Sequence, residues 1–452
     1  VTIVPASAGR GLARRVSRQA SAAAARQHAS RRTTVASRTL IPKIVRVNLL
    51  RRHPIAFTLI ALVLLSALSP LPGLVDAVSG APPADVDLVR PTLYTLLAPV
   101  SNVLDALTFL SLERAIAFLV TWVAALALWG LLRRGPLRRR LAVAVLAPLA
   151  VILLGVAAVL LPRPVPRLAA ADSTLTVIDY HAHTALSHDG RRRWTLQDLA
   201  AWHAAQGFGA SYVTDHNVVF NGGVDDPIRL LPGVEWSVYD QHVVALGAVA
   251  PLDRGVYGRD TRAMLSLFGA LHRQGAIGIA SLPEYWRNHW AEVDDFVAAG
   301  ADGFEIVNCA PKAIGFPAAA RARVLQLAES HDLLVVGASD NHGWGQVTCV
   351  WNLSSPSAHG YRSNRVIARP IALAQGEWQP WTAAYTQLWL MLAGLSWSER
   401  SSWITWILVI LIYRAVPRRA GDPAGIGILA RSLSLKILRL RRPTPPPPPS
   451  TD

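Results

Sequence analysis

His181-Ala182-His183 opens a series of metal-type ligands that continues through Asp189, Asp215-His216, Glu235, His242 and Asp340-Asn341-His342. Imidazole and carboxylate in that mixture suit zinc, manganese or iron, and the residue types do not choose among them. Several ions sharing such ligands point to hydrolysis, because coordination lowers the pKa of water from about 15.7 to about 7 and so supplies a metal-bound hydroxide near neutral pH. No serine, cysteine or lysine nucleophile is then required. Neither a Gly-rich phosphate loop nor a Ser-His-Asp motif is evident.

The elements that must position these residues follow from hydropathy. Residues 175–180 read as a buried strand, which puts His181 and His183 at its C-terminal end on one face. Further strands are predicted over 210–214, 228–234, 243–249, 276–281, 303–308 and 333–338. Helices are predicted over 195–206, 261–274, 289–299 and 317–330. Such alternation implies an α/β fold with a parallel sheet or barrel, and every ligand falls at or just beyond a strand end, where these folds place their sites.

Around this domain the composition changes. The chain has 452 residues, 52% of them hydrophobic, and a mean hydropathy of +0.30, which is high for a soluble protein. Four stretches qualify as membrane spans: 55–75, 114–132, 141–161 and one within 383–413. The net charge of +16 is uneven. Residues 1–54 hold twelve basic side chains and no acid, 133–140 hold five arginines, and 414–452 hold eight basic residues against two acids. Residues 76–113 have the opposite bias, five acids against one arginine. Basic loops mark the cytoplasmic side, so the expected order is a basic tail over 1–53, three spans with their loops over 54–162, an extracytoplasmic hydrolase domain over 171–375, a C-terminal transmembrane segment over 383–416 and a basic, Pro-rich tail over 417–452. The acid-free N-terminal stretch also fits a transit peptide. Residues 171–370 carry fifteen basic and twenty acidic side chains, so nucleic acid is not an expected partner except as a nucleotide substrate.

In its ligand order the domain resembles the PHP (polymerase and histidinol phosphatase) family of metal-dependent phosphoesterases. The resemblance covers about 200 residues. Its motifs are His181-Ala182-His183-Thr184 with Ser187-His188-Asp189-Gly190, then Val213-Thr214-Asp215-His216-Asn217 and Leu231-Pro232-Gly233-Val234-Glu235. His242, Gly303-Phe304-Glu305-Ile306-Val307-Asn308 and Gly337-Ala338-Ser339-Asp340-Asn341-His342 follow. It implies a distorted (β/α)7 barrel with transmembrane helices flanking it, two or three divalent ions, and hydrolysis of a phosphomonoester or phosphodiester, with Asp189, His216 and Glu235 as catalytic residues. By position, His181, His183, Glu235 and Asp340 match the holders of one metal, Glu235 bridges to a second that His242 also ligates, and Asp189, His216 and His342 match the third set. Asp215 and Asn341 match residues that orient their neighbours. Where the family usually has His-Pro, this chain has Ala280-Ser281-Leu282-Pro283-Glu284. Serine is a poor ligand for a transition metal, so Glu284 or His289 would reach in, or the second ion is weakly held or missing. A metal-binding sensor without catalysis is the alternative function.

Other residues bear on substrate. Arg191, with Arg192 and Arg193, could clamp a phosphate or form a solvated run; Glu305 and Asn308 are expected on the substrate side; Lys312 and Arg287 lie near strand ends. His188 is a surface residue or a proton donor. His203, His272 and His331 read as structural. Cys309 and Cys349 could pair or remain two buried thiols.

Overall fold

The computed structural model describes residues 52–355, 363–377 and 379–415; the expected tails lie outside these residues except for Arg52 and His53. Two compact units divide the chain, one formed by residues 61–404 and one by the segments up to 60 and from 405. The larger unit is mixed α/β.

Its strands form two main sheets. The six-stranded sheet runs in the order β1 (Val75–Asp76), β13 (Asn364–Ala368), β12 (Val350–Ser354), β4 (Thr176–Asp179), β5 (Ala210–Tyr212) and β6 (Arg229–Leu231). The five-stranded sheet runs β11 (Leu334–Ala338), β10 (Gly303–Asn308), β9 (Ile277–Ala280), β8 (Gln241–Leu246) and β7 (Gly233–Val238). A small ribbon pairs β2 (Val86–Val89) with β3 (Arg167–Ala170). The pairs β4–β5, β5–β6, β9–β10 and β10–β11 are parallel, as βα units require. The pairs β7–β8 and β8–β9 are antiparallel, because the two residues between Val238 and Gln241 allow only a hairpin.

The expected α/β class is found, but the distorted (β/α)7 barrel is not: among the described residues the ladders close into no barrel. A physical reason lies between β4 and β11. Asn352 on β12 accepts from Gly337 N at 2.8 Å and donates to Gly337 O at 2.7 Å and Ile178 O at 3.0 Å. A side-chain amide thus takes the place of a backbone ladder. Gly337 permits this approach, since a Cβ there would lie 2.3 Å from Val350 Cγ2. Beyond the strand ends, single bridges join Ala182 to Asn341 and His216 to Glu235. They draw the ligand-bearing loops together at one end of the two sheets.

Helix starts follow local chemistry. Leu196–Ala205 opens with a capping box in which Thr195 and Asp198 satisfy each other's backbone amides. Thr261–His272 is capped by Asp260 and buries Met264, Leu267, Phe268 and Leu271, a spacing that faces one side onto the core at about 1.5–3 kcal/mol per side chain. Residues 289–299 do not form one helix: Leu282–His289, a 3-10 turn Trp290–Glu292 and Val293–Ala298 follow one another. The predicted strand 228–234 divides at Pro232, which has no amide to donate.

Among the described residues two helices are long and apolar enough to cross a membrane, Leu112–Leu132 and Leu137–Leu160, each with only 11% of its apolar window buried. A buried core helix would show the opposite. They lie against each other closely, since a Cβ on Gly130 would come within 2.4 Å of Ala144 N, the small-residue contact that lets membrane helices approach. The other two expected spans take different forms. Pro54–Leu65 with the turn Ser66–Leu68 stops short before Pro70. Residues 383–415 form two helices, Ala383–Ala393 and Trp397–Ala415, with Glu399 and Arg400 buried near the start of the second.

Candidate metal centre

The β4 strand delivers His181 and His183 to one end of the domain, where both are buried. Each ring is fixed through Nδ1. His181 Nδ1 is 2.6 Å from Glu305 Oε1, and His183 Nδ1 is 2.9 Å from Ser187 Oγ, which donates to Asp215. The Nε2 atoms of both therefore turn inward, the arrangement that carboxylate or hydroxyl partners impose on metal-binding histidines.

Glu235 on β7 is the centre of the cluster. Its Oε2 lies 2.8 Å from His216 Nδ1, 3.2 Å from His181 Nε2 and 3.4 Å from His183 Nε2, and its Oε1 lies 2.7 Å from His242 Nδ1. Asp340 adds Oδ1 at 3.1 Å from His183 Nε2 and 3.6 Å from His181 Nε2. Its backbone is held at φ +47°, a left-handed conformation that costs free energy at a non-glycine residue and is common at functional sites. His342 donates through Nδ1 to the Asp340 carbonyl at 2.9 Å, leaving Nε2 at 3.2 Å from Asp189 Oδ1. His216 Nε2 lies 3.6 Å from the same oxygen. All eight residues expected to hold metal are thus brought together.

Six atoms test whether ions fit. His181 Nε2, His183 Nε2, His242 Nδ1, Asp340 Oδ1 and both Glu235 oxygens are buried with no hydrogen bond of acceptable geometry, although they face one another. Unsatisfied buried polar atoms are costly and uncommon, and six converging ones form a coordination set. His181, His183 and Glu235, as well as His216, Glu235 and His242, place ligand atoms within 4.8 Å of one another. The buried clusters could hold divalent ions.

Electrostatics agrees. Burial alone would raise the carboxyl of Glu235, yet His181 and His242 hold it well below its usual range. Burial likewise opposes ionisation of Asp189 and Asp340, which their histidine neighbours nevertheless keep strongly acidic. Burial disfavours the imidazolium of His242 and His216, but Glu235, with Asp189 beside His216, lifts them to about 10 and about 9. His183 behaves oppositely: burial and then His342 press it down to about 3. A site so rich in buried carboxylate calls for cations.

Of the alternatives to a histidine at Ser281, Glu284 is the one that approaches the cluster. Ser281 donates to Glu305 Oε2 at 2.6 Å and so supports His181 indirectly. Glu284, on the helix Leu282–His289, brings Oε2 to 3.1 Å from His242 Nδ1. His289 turns away, to Glu292 and the Tyr239 carbonyl, each at 2.8 Å. Glu305 and Asn308, expected on the substrate side, are buried supports: Asn308 donates to Glu305 and to Asp340 Oδ2, both at 3.1 Å. Asp215 accepts from Thr184 N and Oγ1 at 2.6 and 2.7 Å, and Asn341 accepts from Gly343 N at 2.8 Å, so both shape loops.

A cleft of about 430 Å³ opens beside the cluster, with Asp189, His216, Glu284, Asp340 and His342 on one wall. Lys312 lines it and lies 3.4 Å from Glu284. Arg191 ties its backbone amide to His342 O at 2.8 Å, and Arg287 lies against Trp286 and Glu113. His188 is exposed, 3.9 Å from Asp189. His203 is buried between Asp179 and the Leu199 carbonyl, and His272 is paired with Asp302. Cys309 and Cys349 form a disulfide.

Comparison with family models gives no match, and none of the curated proteins matches. Among solved structures, the chain is similar at 19% identity and a TM-score of 0.28 to an amidohydrolase from Chromobacterium violaceum with bound sulfate and no metal, over 36% of this chain and 87% of that one. It is similar at 15% identity and a TM-score of 0.30 to PsfC from Pseudomonas syringae, over 47% of this chain and 96% of that one.

Proposed function

We propose that this protein is a membrane-anchored, metal-dependent phosphoesterase of PHP type that hydrolyses a phosphomonoester or phosphodiester, with its α/β domain outside the cytoplasm. The observation that carries the reading is the convergence of six buried, unsatisfied nitrogen and oxygen atoms around Glu235. His181, His183, Glu235 and Asp340 would hold one ion; Glu235, His242 and Glu284 a second; Asp189, His216 and His342 a third. Zinc, manganese or iron in these positions supplies Lewis acidity that acidifies water and withdraws charge from a phosphoryl oxygen.

The protein's own groups do the remainder. Glu305 keeps His181 in one tautomer, Ser187 does so for His183, and the Asp340 carbonyl does so for His342. That pre-organisation removes reorganisation from the reaction step. Lys312 stands at the cleft as a cationic contact for a small phosphorylated substrate. The disulfide Cys309–Cys349 supports an oxidising location.

Purified protein loaded with Mn²⁺ or Zn²⁺ should release nitrophenol from nitrophenyl phosphate or bis-nitrophenyl phosphate, and chelation should stop it. Stoichiometric metal without turnover of either ester would favour the second reading, a metal-binding sensor, to which Ser281 in place of a histidine lends its support.

A further inference from the structure

The cleft beside the cluster also has an apolar part to its lining, contributed by the end of the helix Leu137–Leu160 and by the loops after β10 and β11. Phe109, Val159, Ala310, Pro311, Trp344 and Val347 belong to it. Val159 is the penultimate residue of the apolar helix Leu137–Leu160. We propose that the substrate is an amphiphile, a phosphoester carried by a membrane lipid, whose headgroup enters this cleft while its chains remain along the ends of the two apolar helices. The proposal rests on the phosphoesterase reading above.

Depth is the first argument. Arg138, Arg139 and Arg140 belong to the headgroup layer at the far end of the helix, which leaves residues 141–160 for the hydrocarbon. Twenty residues at about 1.5 Å each span about 30 Å, the thickness of a bilayer core. Val159 then lies at the boundary between hydrocarbon and headgroups on the opposite side. Ester phosphates of membrane lipids lie in the same layer.

Attachment is the second. The loop that follows Asn308 at the end of β10 and the loop after β11 that carries His342 are bound directly to the helix ends. Leu112 N, at the start of the other apolar helix, donates to Pro311 O at 2.9 Å. Val159 O accepts from Gly345 N at 3.2 Å and from Gln346 Nε2 at 3.1 Å. The disulfide Cys309–Cys349 ties the two loops to each other. Trp344 exposes half its surface beside them and donates through Nε1 to Asp189 O at 3.1 Å; an indole with one polar and one apolar side is suited to the membrane interface. A lipid reaches this opening by lateral diffusion. Lys312, at the same cleft, offers the positive charge that a headgroup phosphate needs.

The test compares lipids with their own headgroups. Full-length, metal-loaded protein in mixed detergent micelles is given phosphatidylglycerol or phosphatidic acid, and separately glycerophosphoglycerol or glycerol 3-phosphate, with nitrophenyl esters as a control. One lipid should be preferred over its water-soluble counterpart by about 100-fold in kcat/KM, which three or four buried methylenes supply. Its rate should follow the mole fraction of lipid in the micelle. Val159→Asn should lower that preference about tenfold by making the wall polar. Equal or better turnover of the soluble headgroups, or turnover of nitrophenyl esters with neither lipid cleaved, overturns the lipid assignment and leaves the phosphoesterase. Failure of every ester with metal bound overturns the phosphoesterase itself.

Discussion

Glu235 shows why this cluster behaves as a unit. A fully buried carboxylate is tolerated only with compensating charge, and the nitrogens of His181, His216 and His242, all within 3.2 Å, supply it in competition with any bound ion. His181→Ala should therefore abolish turnover and lower the metal content of purified protein; full metal and normal rates in that variant would remove the assignment. Glu305→Gln tests the support instead. It should weaken metal binding by about 10–100-fold, as loss of such outer partners does, measured by competition with a chromophoric chelator. Glu284→Gln should release one ion per chain while the ion held by His181 and His183 stays, and an unchanged ion count would remove Glu284 from the set. His181, His183, His216, Asp340 and His342 were legible in the sequence because each follows a short apolar run that becomes a strand, whereas Glu235 and His242 lie inside β7 and β8 and were marked by the family resemblance. The part played by Glu305 was not, because it depends on which strand end faces His181 in space.

At the scale of elements, the strands that bear ligands were readable from hydropathy, and the strands that frame them were not. Val75–Asp76 is two residues long, and β12 and β13 carry the polar residues Asn352 and Asn364 at buried positions, which breaks any apolar run. Those amides hold the sheets together: Asn364 donates to Val335 O at 2.7 Å and to Asn352 Oδ1 at 3.0 Å. Closure by side chains leaves no periodic trace in a sequence, which is why the alternation of strands and helices could not choose between a parallel sheet and a barrel. The disulfide is the strongest local tie, joining residues 40 apart. Replacing both cysteines by serine should cost about 2–4 kcal/mol in unfolding free energy, measured by denaturant titration. A loss within experimental scatter would mean that the loops are already held by the helix ends.

For the whole molecule, the proposed orientation rests on charge. The turn between the two apolar helices and the start of the second carry Arg133, Arg134, Arg138, Arg139 and Arg140, and basic residues beside an anionic cytoplasmic leaflet are each worth about 1 kcal/mol. In the proposed topology Leu112 and Leu160, at the other ends, would emerge on the opposite face together with the ligand-bearing loops attached there. That proposed side would account for the disulfide Cys309–Cys349 and for the acidic balance of residues 171–370. Leu186 is exposed in the first metal loop and Arg134 is exposed in the helix turn. Leu186→Cys should react with a membrane-impermeant maleimide on intact cells, while Arg134→Cys should react only after permeabilisation. The opposite pattern would place the metal centre in the cytoplasm and require another source for the pairing of Cys309 with Cys349. Labelling of both sites without permeabilisation would mean that the two apolar helices do not cross the bilayer, and the depth argument for a lipid substrate would fall with them.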